Sequence, residues 1–312
     1  MNSTIPSFSV IVPTFRPGHF WRNWLDAFAG QTIKPDRAIL IDSGSGDDTV
    51  ELAMQYGFES RTIKHAEFDH GRTRMSGVEK SGDSEIVLFF TQDAELATAD
   101  SIEQLLKCFL DKSVGAAYGR QLPTREATPI ATHARLYNYP EQSRVKSRND
   151  ISELGIMTAR FSNSFGAYRR SALMEVGGFP SWIIFGEDQV VASRLLMKNW
   201  KIAYEARAQV YHSHNYTHTQ EFNRYYDIGV FHRLTPWMMK EFGSASGEGI
   251  RFVSSELRYL CHCAPNLIPS AMLRTALKYV AYRLGWEAPS TPLAFKRRMS
   301  MNPRYWDPLK QV

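Results

Sequence analysis

Three short apolar runs, each stopped by a proline or a polar residue, constrain this chain more than anything else in it. Phe8–Phe15 (FSVIVPTF), Arg37–Ile41 (RAILI) and Glu85–Thr91 (EIVLFFT) are too short for core helices and rich in β-branched and aromatic residues. Each therefore reads as a buried strand. Between and after them, Trp21–Ala29, Thr49–Tyr56, Arg72–Lys80 and Ser101–Leu110 repeat apolar residues at helical spacing. Arg61–His65 and Val114–Gly119 read as two further strands. Strands alternating with helices at this pitch predict βαβ units: an α/β fold with a mainly parallel central sheet and helices on both faces.

Composition narrows the class. The 312 residues suffice for one large α/β domain or two ordinary ones. With 43% hydrophobic and 12% aromatic residues, the chain can bury a core, which excludes disorder as a global description. No window approaches the roughly 18 uninterrupted apolar residues of a membrane span. The opening MNSTIPSFSVIVPTF lacks a basic start and a small-residue cleavage site, so a cytoplasmic location is expected. Three cysteines make no disulfide framework, and Cys261-His262-Cys263 is too tightly spaced for a closed zinc site and reads as structural. A net charge of +5 is too small to argue for nucleic acid, and no such partner is expected. The polar, Pro- and Arg-rich stretch Gln121–Asp150 reads as a mobile connection. Beyond Arg251, nine basic residues, Lys310 the last, stand against Glu256, Glu287 and Asp307. Interleaved with aromatics, they form either a solvated helical face or a peripheral contact with an anionic membrane surface.

In open parallel sheets, ligands bind beyond the carboxyl ends of the strands. Three such ends carry chemistry here: Pro13-Thr14-Phe15-Arg16, Asp42-Ser43-Gly44-Ser45-Gly46-Asp47, and Thr91-Gln92-Asp93-Ala94-Glu95. Phe15 could stack on a base, Asp42 could accept the N3–H of a uracil or thymine, and one or two carboxylates, Asp93 and Glu95, follow the most apolar strand. Each is also what an ordinary strand ending looks like. Neither GxGxxG nor GxxxxGK[ST] occurs, which argues against dinucleotide binding and a P-loop.

Taken in order, these strings resemble glycosyltransferase family 2, which has the GT-A fold and uses nucleotide-sugar donors. FSVIVPTF matches the opening strand, ILIDSGSGDDT the Asp-terminated second strand, and HGRTRM the Gly-x-x-Arg-Asn helix start. TQDA stands where the family has Asp-x-Asp, and Gly177-Gly178-Phe179 precedes the Glu187-Asp188 pair. The resemblance runs from about Phe8 to about His232, and Phe68–Arg74 with Thr91–Ala94 look like the rhamnosyltransferase branch. It implies a catalytic unit over residues 1–232, split into a nucleotide-sugar half (1–120) and an acceptor half (121–232). A basic helical extension over 233–312 would follow.

The same resemblance implies an inverting transfer from a nucleoside-diphosphate sugar, dTDP-L-rhamnose in this branch. The acceptor would be a glycan or lipid-linked saccharide of a surface polysaccharide. Asp188 would act as general base with Glu187 positioning the acceptor. Pro13, Thr14, Phe15, Arg16, Asp42, Arg74, Gln92 and Asn163 would line the donor, Arg74 reaching the diphosphate unless it faces solvent. Mg²⁺ or Mn²⁺ would sit at Asp93 with help from His212. His214, two residues on, is expected to face the other way, leaving at most one of the two histidines for the site. Two departures stand out: Thr91 replaces the first Asp of Asp-x-Asp, and Met75 replaces the Asn after Arg74. They keep open another donor, such as a UDP-hexose or UDP-galactofuranose, or a non-catalytic sugar-nucleotide or glycan binder on the same fold.

Overall fold

The computed structural model describes residues 5–181, 183–243 and 247–307. Its strands are β1 (Phe8–Thr14), β2 (Arg37–Asp42), β3 (Glu59–Thr62), β4 (Ile86–Phe90), β5 (Glu95–Leu96), β6 (Val114–Leu122), β7 (Arg144–Lys146), β8 (Phe165–Arg169) and β9 (Lys201–Tyr211). They form one sheet in the order β3-β2-β1-β4-β8-β6-β9-β5, with β7 on β9. The parallel sheet expected from the sequence holds for β3-β2-β1-β4. Beyond β4 the sheet is mixed: β8 enters antiparallel between β4 and β6, and β9 pairs parallel with β6 but antiparallel with β5 and β7.

Alternation along each strand builds two cores, one on each face. Ile11, Ile39, Ile41, Val87 and Phe89 point to one side. Their neighbours Val10, Val12, Leu40, Leu88 and Phe90 point to the other. Such double burial requires the near-continuous apolar strands that the sequence shows. The second core is closed by helix α1 (Trp21–Ala29), whose Trp24 is 1% exposed and donates from Nε1 to the Ala94 carbonyl at 2.8 Å.

Helix α2 (Thr49–Gln55) follows the β2 turn, and α3 (His70–Lys80) starts at the N-cap Asp69, which accepts from the Arg72 amide at 2.7 Å. A Cβ at Gly71 would lie 1.9 Å from the Pro180 carbonyl oxygen, so only glycine lets α3 seat there. At Gly178 (φ +66°) a Cβ would meet the Met75 sulfur at 2.7 Å, so Met75 packs against the Gly177-Gly178 turn. Helices α4 (Ser101–Lys107), α5 (Pro129–Asn138), α6 (Ile151–Leu154), α7 (Arg170–Glu175) and α8 (Glu187–Met197) complete this part. The stretch Gln121–Asp150 is not a mere connection: it holds the end of β6, α5 and β7. Thr128 caps α5 by accepting from the Ala131 amide, and Pro129 opens it.

After β9 the chain is helical: α9 (His218–Leu234), α10 (Pro236–Phe242), α11 (Glu248–Cys263), α12 (Ile268–Trp286) and α13 (Leu293–Met299). Helix α12 lies against α9 at glycine contacts, and Ala281, Ala288 and Trp306 join the first core. Part of the basic tail is neutralised within this packing: Arg274 and Lys278 meet Glu221 at 2.5 and 2.7 Å, and Arg297 meets Asp307 at 2.7 Å. Lys310 lies outside the described residues. No helix is long and apolar enough to cross a membrane among the described residues. Cys261 and Cys263 are free and exposed on α11.

Candidate active site

The ends of β4, β6 and β9 bring Asp93, His212 and His214 together. His212 Nε2 lies 3.4 Å and His214 Nε2 3.8 Å from Asp93 Oδ2. One ligand atom from each of the three falls within 4.8 Å of the others, the one such cluster found among the described residues. Two atoms bound to one small divalent ion at about 2.1 Å stand roughly 3–3.5 Å apart, so this donor set fits a cation with little movement. Burial favours the uncharged Asp93 carboxyl, but the His212 hydrogen bond and the nearby imidazoles outweigh it and hold the group well below the usual carboxylate range. Burial, then the neighbouring His212, push His214 down to about 4, which keeps it a neutral ligand. The expectation that His214 faces away from His212 is therefore corrected. Side chains at i and i+2 of an extended segment share a face, so the run that follows β9, which ends at Tyr211, brings both imidazoles to one side.

Glu187 and Asp188 open α8 behind Gly186, which adopts a left-handed φ of +80°. Their fates differ. Glu187 is buried and pairs with Arg74 Nη1 at 2.8 Å, while Asn163 Nδ2 donates to the same oxygen at 3.3 Å. Asp188 stays partly accessible, accepting from the Asn163 amide at 3.1 Å and from the Gln189 amide at 2.7 Å. Burial, then the adjacent Glu187 charge, push Asp188 up to about 6. For Glu187, burial works upward, but Arg74 holds the carboxyl below its ordinary value.

One alternative is removed here: Arg74 does not face solvent. It is 4% exposed, Nη1 serves Glu187 and the His70 carbonyl, and Nε has no hydrogen-bond partner among the described residues. Glu187 Oε1 is held by Arg74 and Asn163, with the side chain 7% exposed. Asn163 is 2% exposed and clamps both carboxylates, its own Oδ1 accepting from the Tyr168 hydroxyl at 2.8 Å.

At the β1 and β2 ends, Phe15 stacks on His65 with ring centroids 3.9 Å apart, an aromatic pair beside the strand mouths. Gln92 pins it from both sides, accepting from the Phe15 amide at 2.7 Å and donating to its carbonyl at 3.0 Å. Arg16 takes a left-handed φ of +46°, rare for this residue type, and donates from its amide to Ser45 Oγ at 2.8 Å. Asp42 accepts from the Gly44 and Ser45 amides, both at 2.9 Å, and from the Ser45 and Thr14 hydroxyls. Its four lone-pair positions are thus filled, and a base N–H would have to displace one. Pro13 sits half-buried in β1. The sequence reading missed His65, His70, Gln121 and Arg135. For His65 a usable signal existed, an imidazole closing the run Arg61–His65 that reads as a strand; His70 stands in the HGRTRM string, and Gln121 and Arg135 lie in the stretch that reads as a connection.

Known proteins resemble this architecture and sequence. A profile described as Glycosyl transferase family 2 matches residues 9–177. The O-antigen chain rhamnosyltransferase WbaN of Salmonella anatum is 47% identical over 97% of this chain and 96% of its own length. RfbN of Salmonella typhimurium, with the same description, is 47% identical over 96% of each. Among solved structures, the mannosyltransferase PcManGT of Pyrobaculum calidifontis, in complex with GDP-Man and Mn²⁺, superposes with a TM-score of 0.58 at 18% identity, over 97% of this chain and 86% of that one. S. aureus TarS 1–349 gives 0.54 at 14% identity over 91% of each chain. These two distant likenesses establish the fold as GT-A-like. With a profile match over more than half the chain and near-full-length relatives at 47% identity, this protein belongs to glycosyl transferase family 2.

Proposed function

We propose that the protein is an inverting rhamnosyltransferase that moves L-rhamnose from dTDP-L-rhamnose to a hydroxyl of a glycan or lipid-linked saccharide in surface-polysaccharide synthesis. Its near-full-length relatives are named O-antigen chain rhamnosyltransferases. One observation carries the chemistry: of the two carboxylates opening α8, Glu187 is locked to Arg74, while Asp188 keeps solvent access and a pKa near 6. A carboxylate poised near the working pH is suited to accept the acceptor hydroxyl's proton as that oxygen attacks the sugar C1. Asn163 holds it in place through its backbone amide.

Asp93 and His212, with His214 beside them, would hold Mg²⁺ or Mn²⁺. A bound divalent ion there would supply positive charge against the charge that grows on the departing diphosphate. On the donor side we assign Phe15 and its His65 partner to the base, with Pro13, Thr14, Arg16, Asp42 and Gln92 shaping that wall. Residues 1–232 form the catalytic unit in this reading. The outward face of α12 shows Met272, Leu273, Tyr279 and Val280, 48–68% exposed, with Arg283 at its end. A face of that kind suits peripheral contact with the cytoplasmic surface of a membrane carrying a lipid-linked acceptor.

The test incubates the full-length protein with dTDP-L-rhamnose, UDP-hexoses and UDP-galactofuranose, and measures released nucleoside diphosphate. Release from dTDP-L-rhamnose alone is expected. Release from a UDP-sugar instead would overturn the donor assignment, and none from any donor, with donor binding intact, would favour a binding protein.

A further inference from the structure

We propose that Gln121 is a positioning residue: it fixes His212 in the tautomer that can bind a cation and ties that end of the site to the segment holding Asp188. The proposal rests on the reading of Asp93 and His212 as cation ligands.

Gln121 lies near the end of β6, 2% exposed, just past the point where the β6–β9 register slips between Gly119 and Arg120. Irregularities of this kind re-aim side chains beside active sites. Arg135, on α5, donates from Nη1 to Gln121 Oε1. A guanidinium has donors only, so this contact settles which end of the amide is oxygen. The amide nitrogen, turned the other way, donates to Ser162 Oγ at 2.9 Å.

The second lone pair of the same Oε1 faces His212 Nδ1 at 2.9 Å. An acceptor there demands a proton on Nδ1, so a neutral His212 carries its lone pair on Nε2. That lone pair points toward Asp93 Oδ2, 3.4 Å away. Two acceptors facing one another in this way call for a proton or a metal ion between them: a proton makes the His212–Asp93 hydrogen bond, and a divalent ion would take its place. Orientation of a ligating imidazole through its other nitrogen is a common support of metal sites. Here it comes from an amide whose own orientation is set by an arginine. The relay continues in the opposite direction: Ser162 precedes Asn163, whose backbone amide and side chain hold Asp188 and Glu187. Gln121 is thus one hydrogen bond from His212 and one residue from the clamp on the base.

The experiment uses the full-length protein with dTDP, following Mn²⁺ uptake by electron paramagnetic resonance and the His212 ring nitrogens by ¹⁵N NMR. Wild type without metal should show His212 protonated on Nδ1. Gln121→Leu should weaken Mn²⁺ roughly tenfold to a hundredfold. Gln121→Glu, which still accepts from both Arg135 and His212, should stay near wild type. Should Gln121→Leu fail to fold, Arg135→Met frees the amide to flip and should shift the tautomer with a smaller loss of Mn²⁺ affinity. A folded Gln121→Leu with wild-type Mn²⁺ affinity, or a wild-type His212 protonated on Nε2 but not on Nδ1, overturns the proposal. If wild type itself takes up no Mn²⁺, the cation reading falls. The nitrogen shifts then judge Gln121 alone, and an unchanged His212 tautomer in Gln121→Leu overturns its role.

Discussion

The two ends of the site hold carboxylates driven in opposite directions. Asp93 is half-exposed, and the His212 and His214 imidazoles keep it ionised far below ordinary working pH. Asp188 has as its neighbour another carboxylate, Glu187, in a buried setting, and its proton leaves only near pH 6. Side chains of the same acid thus suit two tasks, a permanent ligand at one end and a proton acceptor at the other. Environments that push titratable groups apart are a mark of divided catalytic roles. The contrast also accounts for the missing first aspartate of the metal motif. With Thr91 in that place, the ligand atom lost after β4 would be replaced, without its negative charge, by imidazole nitrogens of His212 and His214 arriving from the end of β9.

The most severe break is expected at the Asp93 end. Asp93→Ala should abolish turnover together with any response to divalent ions, because two neutral imidazoles alone hold a cation poorly. Titration of Mn²⁺ into EDTA-treated protein checks this; full wild-type activity without any divalent ion would sink the assignment. At the other end, Asp188→Asn should keep donor binding and lower turnover on the order of a hundredfold or more. Wild-type kcat/KM should fall as pH drops below about 6, since the protonated base cannot accept. Glu187→Gln should move that acid limb to lower pH by removing one cause of the Asp188 shift. An unmoved limb would show that burial alone sets it.

How much of this was readable in the sequence follows the range of the interactions. β1, β2 and β4 were legible because each is an apolar run with its own stop signal, and α1 was read with its observed limits. β3, polar and exposed, lies at Glu59–Thr62 rather than at the expected Arg61–His65. Asp93, His212 and the Glu187-Asp188 pair were legible as positions in a family pattern. Their partners were not. Arg74 meets Glu187 only because Gly71 lets α3 approach the Pro180 turn, a contact that no local pattern encodes. The antiparallel entry of β8 between β4 and β6 is likewise a long-range choice, left open by local periodicity. Arg135 and Gln121 hid in a polar stretch whose composition resembles a loop, although the Thr128-Pro129 start of α5 was a usable helix signal.

A smaller effect should appear in stability rather than chemistry. The Arg74–Glu187 pair is nearly excluded from solvent, with side chains 5% and 7% exposed. Arg74→Met leaves the Glu187 charge uncompensated, which costs about 3–5 kcal/mol. The double variant Arg74→Met/Glu187→Leu removes both charges and should recover much of that loss while leaving turnover impaired. Thermal melts of the three proteins check the order. A single variant as stable as wild type would show that water reaches Glu187.

The smallest effect concerns a third carboxylate, which separates burial from charge repulsion. Asp227, on α9, is 3% exposed, and burial raises its pKa to about 6, with hydrogen bonds from the Met301 amide at 3.0 Å and the Asn302 amide at 3.3 Å working the other way. Unlike Asp188, it has no acidic neighbour among the causes of its shift. Because the folded-state pKa is raised, the group's contribution to stability is fully present below the unfolded pKa near 4 and is lost as pH rises through about 6. A displacement of about two pH units corresponds to roughly 3 kcal/mol. Asp227→Asn keeps an oxygen for the two amides and removes the buried charge, so it should melt higher than wild type at pH 8 and little differently at pH 4. Asn302 also donates from Nδ2 to the Ile184 carbonyl at 3.2 Å, just before the Glu187-Asp188 pair. Even so, the acid limb of kcat/KM should not move in Asp227→Asn, since the variant leaves the Glu187 charge in place. A shifted limb would mean that the C-terminal segment tunes Asp188 through that contact, and the base would then answer to three elements rather than two.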